Sequence, residues 1–105
     1  MAQLPDKVKN IIDDYLKALR RNNITIKDAL LFGSYARGSY QEWSDIDIAL
    51  VSDIFEGNRI NDKDKIRKIT LSVSSEIEVI PFAPDDFNLN NPLAKEILKT
   101  GVRLV

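Results

Sequence analysis

The sequence predicts a small α/β (α+β) fold, a three-stranded mixed sheet with flanking helices. Two observations carry that expectation. Apolar residues recur at helical spacing in three segments, and three short runs rich in Ile, Leu, Val and Phe lie between those segments. Their order is helix, strand, short polar excursion, strand, helix, strand, helix, which suits a mixed sheet better than a bundle or a sandwich. With 105 residues and no Pro-, Gly- or Ser-rich linker, residues 1–105 are expected to form one domain.

From Pro5 to about Asn22, Val8, Ile11, Ile12, Tyr15, Leu16 and Leu19 recur at helical spacing with Lys, Asp and Arg between them, and Pro5 suits a first turn. Ile26 to Phe32 reads as a strand ending at Gly33. Ile46 to Val51 reads as a second strand, apolar on both faces after Asp47 and hence central. A loop with Gly57 and Asn58 leads to a helix from Asp62, with Ile66, Ile69, Thr70 and Val73 on one face. Glu76 to Phe82 is the third strand, and Pro84-Asp85-Asp86 marks a turn. Asn91 and Pro92 open a last helix that stops at Gly101. The apolar residues Val102, Leu104 and Val105 beyond it can pair with the sheet or with another chain, and the sequence leaves both open.

Composition narrows the chemistry. There is no Cys and no His, so thiolate and imidazole are unavailable as nucleophile, base or metal ligand, and carboxylates are left to do such work. Fifteen Lys and Arg stand against sixteen Asp and Glu, which gives no general footprint for a polyanion. Lys63, Lys65, Arg67 and Lys68 are interleaved with Asp62 and Asp64 and read as a solvated helix face, so no nucleic-acid site is assigned. No apolar run approaches the ~18 residues that span a bilayer, and the first ten residues lack an apolar signal core. A soluble cytoplasmic protein is the expectation.

Strands two and three, joined by a helix, are expected to run parallel, whereas the excursion from Gly33 to Ser44 suits an antiparallel pair. The end of strand one would then meet the starts of the other two, and Gly33 and Ser34 would lie near Asp45, Asp47 and either Glu76 or Glu78. Asp45 and Asp47 leave one face of their strand, as Glu76 and Glu78 do on theirs. Two unit charges 4 Å apart repel by roughly 4 kcal/mol at an effective dielectric of 20. A hard divalent cation would relieve this; oxygen ligands favour Mg²⁺, with Mn²⁺ as a substitute. Glycine allows close approach to a ligand, Ser34 adds a hydroxyl, and Arg37, about one turn later, offers a forked cation to phosphate oxygens. A nucleoside triphosphate fits this set.

Gly33-Ser34, ten residues, then Asp45-Ile46-Asp47, within GSYARGSYQEWSDIDIALV, resembles the GS-x10-DxD signature of the DNA polymerase β-like nucleotidyltransferases, and the chain looks like their minimal branch over nearly its full length. The resemblance implies metal-dependent transfer of a nucleoside monophosphate, with ATP the first donor to try. It places Gly33, Ser34 and Arg37 at the phosphates and Asp45 and Asp47 on metal, with Glu78 as the third carboxylate where relatives more often carry Asp. It also implies a HEPN-domain partner in a toxin–antitoxin pair, the antitoxin adenylylating a tyrosine of that partner. Transfer to a small molecule such as an antibiotic, and a non-catalytic module acting by occlusion, are the alternative expectations, and oligomerisation stays open. For Tyr35, Tyr40 and Trp43, which border the motif, packing is favoured over stacking on a nucleobase.

Overall fold

The computed structural model describes residues 4–105. Its elements are α1 (Asp6–Arg21), β1 (Asp28–Phe32), α2 (Gly33–Arg37), β2 (Ile46–Val51), α3 (Arg59–Val73), β3 (Ile77–Phe82), a 3₁₀ turn (Pro84–Asp86), α4 (Pro92–Thr100) and β4 (Val102–Arg103). The sheet has four strands in the order β3-β2-β1-β4. β1 runs antiparallel to β2 and β4, and β2 runs parallel to β3 with α3 as the crossover.

Helices pack on both faces of the sheet. α1 and α3 close one face over Val8, Ile12, Leu19, Leu31, Ile48 and Ile66. α4 closes part of the other with Ala94 and Ile97 against Leu30, Ala49, Val51 and Phe82. At nine residues α4 is about 14 Å long, so it spans only part of that face. Between α1 and α3, the Tyr15 hydroxyl meets Thr70 Oγ1 at 2.8 Å, and Thr70 in turn donates to the Ile66 carbonyl, so Tyr15 is the donor of the pair. Burial pushes the Tyr15 phenol up to about 12.

Several expectations change, among them the strand starts: β1 begins at Asp28, not Ile26, and β3 at Ile77, not Glu76. The sheet has a fourth strand: Val102–Arg103 pairs with β1 beside Leu30 and Leu31, Leu104 N–H donates to the Ala29 carbonyl, and Arg103 pairs with Asp28. Two residues are too few to show a period-two pattern in sequence. Gly101 ends α4 with φ −77°, outside the left-handed region; there a Cβ would meet the Ile97 carbonyl oxygen at 2.5 Å and that of Leu31 at 3.1 Å, so glycine lets the chain turn against β1. α3 begins at Arg59, earlier than Asp62, because the Asn58 side chain caps it by accepting the Asn61 N–H.

Candidate active site

The register of the sheet assembles the site. Phe32, the last residue of β1, is opposite Asp47 on β2, and Asp47 is opposite Glu78 on β3. Ile46 lies between Asp45 and Asp47 and is 1% exposed in the core beneath α1 and α3, so both carboxylates emerge on the other face. Ile77 and Val79 flank Glu78 and are buried in that same core, which turns Glu78 to the face of Asp47. α4 seats on the far part of this face, over Val51 and Phe82. The near part, with Asp45 and Glu78 exposed and Asp47 half-buried, stays open to solvent.

Gly33 adjoins Asp47 directly. Its φ is +73°, and a Cβ there would overlap the Asp47 carboxylate. Glycine therefore serves two ends at once, the sharp exit from β1 and room for the acid. α2 follows immediately, with Ser34 in its first turn, whose N–H groups have no intrahelical acceptor, and Arg37 at its end. Asp47 is held above the usual carboxylate range, first by burial and then by the charges of Asp45 and Glu78, with Arg37 opposing them. Asp45, Glu78 and Arg37 all act on Asp47 through space, two of them as acids.

The third carboxylate has a partner. Lys63 Nζ donates to Glu78 Oε1 at 2.8 Å, and among the described residues no three carboxylates close on a shared point. Glu76, the competing candidate, is outside β3 and pairs with Lys7 at 3.3 Å. The donor set fits a hard divalent cation in kind: carboxylate oxygens only, on one open face, with one member in a neighbourhood that disfavours its charge.

Sequence reasoning missed two residues. Lys63 reads in sequence as part of the solvated face of α3, yet it reaches round the sheet edge to Glu78, and the distance between them in sequence hides the pair. Asp62, assigned to the same face, is 0% exposed and accepts the N–H groups of Glu56 and Gly57, each at 2.9 Å. Burial alone would raise the Asp62 carboxyl, but those N–H groups and the Lys65 ammonium outweigh it and hold it below the usual range. Lys65 and Arg67 also have carboxylate partners. Tyr35 is buried and stacks on Tyr40 with ring centroids 4.6 Å apart, whereas Trp43 is 80% exposed. A cleft of about 620 Å³ opens beside the tyrosine pair and Glu76, and a groove of about 410 Å³ opens beside Glu78 between α3 and β3. No helix of the described residues is long and apolar enough to cross a membrane.

Known proteins are similar to the chain in sequence and in fold. Two proteins of Methanocaldococcus jannaschii, each named as a candidate protein adenylyltransferase, are similar to the chain. One is 32% identical over 93% of this chain and 71% of its own length, the other 36% identical over 86% of this chain and 90% of its own. A toxin–antitoxin structure with AMP-PNP has the same fold, with a TM-score of 0.62 at 24% identity over 89% of this chain and 71% of that chain. So has a candidate nucleotidyltransferase from Sulfolobus solfataricus, with a TM-score of 0.59 at 23% identity over 92% of this chain and 76% of that one. The sequence profile of the nucleotidyltransferase domain matches residues 12–104, and the chain belongs to that family.

Proposed function

We propose that the chain is a Mg²⁺-dependent adenylyltransferase that moves AMP from ATP to a protein hydroxyl, a tyrosine of a HEPN-domain partner for which it acts as antitoxin. The observation that carries this reading is the register that sets Asp47 between Gly33 and Glu78, with Asp45 on the same open face. The names of the Methanocaldococcus relatives support protein as the acceptor, and the toxin–antitoxin neighbour with its ATP analogue supports the donor and the setting.

In this reading Asp45 and Asp47 would hold the divalent cation, with Glu78 completing the set. When bound, that cation neutralises phosphate oxygens and acidifies the attacking hydroxyl. Ser34 and the first-turn N–H groups of α2 hold the triphosphate beside Asp47, and the Arg37 guanidinium offsets its charge. The acceptor oxygen bonds to the α-phosphorus, the bond to pyrophosphate breaks, and the hydroxyl proton passes to a carboxylate of the site or to water. The raised affinity of Asp47 for a proton, with Asp45 and Glu78 beside it, supports this reading.

The test is the intact mass of the partner after incubation with the chain, ATP and Mg²⁺. One added AMP per modified tyrosine is expected. The variant Asp45→Asn/Asp47→Asn should slow transfer at least ~100-fold, the equivalent of losing about 3 kcal/mol of charge stabilisation. No added mass with wild type, together with continued protection of cells by the double variant, would replace the enzymatic reading with occlusion.

A further inference from the structure

We propose that Lys63 is a positioning residue that holds the Glu78 carboxylate and competes for it with the divalent cation of the proposed reaction. The inference rests on the reading of Glu78 as a metal-site carboxylate. It goes beyond that reading by assigning a gate to a residue of α3.

The geometry is specific. Lys63 Nζ donates to Glu78 Oε1 at 2.8 Å, and the two side chains are 44% and 50% exposed. β3 is an edge strand, so a side chain from α3, which covers the opposite face, can come round the edge to meet Glu78. The extra methylene of Glu over Asp lets the carboxylate extend toward it. The base of Lys63 is fixed by its neighbour: Asp62 is fully buried and ties the first turn of α3 to the loop N–H groups of Glu56 and Gly57. The ammonium is thus presented to Glu78 by the fold and is not simply drifting over a solvated surface.

An ammonium and a hard cation seek the same oxygen. The ammonium belongs to this chain, so its competition does not depend on concentration. A half-exposed pair is worth at most about a fivefold preference, strong enough to hold Glu78 in the free protein and weak enough for a dication to displace. Displacement frees Lys63 on the groove between α3 and β3 at the moment the site becomes loaded. Readiness for the reaction and a new positive charge beside the site then appear together.

Mn²⁺ binding followed by electron paramagnetic resonance tests this without any turnover. Lys63→Met should tighten Mn²⁺ about two- to fivefold, the loss of a competitor of that strength, while Lys63→Arg should change it little. In a Glu78→Gln background the gain from Lys63→Met should vanish. Unchanged affinity in Lys63→Met overturns the proposal, and so does a gain that persists with Glu78→Gln, because that would be a general field effect. Mn²⁺ binding insensitive to Asp45→Asn/Asp47→Asn would instead overturn the metal reading beneath it, so the two failures are distinct.

Discussion

In the proposed reading, Asp47 is where function and stability oppose one another. Its carboxyl is pushed up by burial and by the neighbouring acids, so folding disfavours its ionised form. The sign follows: a raised acid costs stability at pH values above its folded pKa, and the cost fades as pH falls toward the unfolded value of about 3.9. Asp47→Asn should therefore raise the melting temperature of the metal-free protein at pH 7, with the gain shrinking in acid, while transfer is lost. A melting temperature that falls at pH 7 would contradict this. Gly33 depends on the same acid. Gly33→Ala incurs roughly 1–2 kcal/mol for the left-handed backbone, plus overlap with Asp47. In an Asp47→Ala background the carboxylate is gone and only the Cβ of residue 47, at 3.3 Å, stays close, so denaturant melts should show a smaller loss there; equal losses in both backgrounds would mean that the contact with the carboxylate is unimportant. The spacing of Gly33, Ser34, Asp45 and Asp47 was readable in sequence because local motif residues carry it. That Gly33 makes room for Asp47 itself was not, since the contact crosses two strands.

At the scale of elements, α3 shows what periodicity can and cannot deliver. Its core face, Ile66, Ile69, Thr70 and Val73, follows from spacing, but its start depends on Asn58 as a cap and on Asp62, a charged residue that pattern reasoning sends to the surface. Only the loop before α3, folded back over the helix, supplies the N–H groups that make a buried carboxylate tolerable. Asp62→Asn retains the shape but weakens those bonds, and should cost about 1–3 kcal/mol in urea melts at pH 7. Asp62 is held below the usual range, so its contribution is present above the unfolded value of about 3.9 and is lost as pH falls through the lower folded value. The gap between wild type and Asp62→Asn should accordingly narrow below about pH 4. A gap independent of pH would assign the loss to packing alone. β4 is the converse case, an element too short for any pattern, set by Gly101 and by pairing with β1.

For the whole molecule, the strand order decides where chemistry can occur. The antiparallel β1–β2 pair and the parallel β2–β3 pair bring one strand end and two strand starts together, and the short α4 leaves that corner of the sheet uncovered. The topology was legible because connection lengths limit strand direction: a short excursion suits an antiparallel neighbour, and a helix between strands suits a parallel one. The ion pair between Lys63 and Glu78 was not, since it joins a helix to a strand round the sheet edge. A crystal of the protein grown with Mn²⁺ and a non-hydrolysable ATP analogue offers the most direct measurement, through anomalous density. A peak held by Asp45 and Asp47, with the triphosphate against Gly33 and Ser34, is expected. Peaks away from both aspartates, or a triphosphate bound at another surface, would contradict the assignment of this corner as the place of transfer.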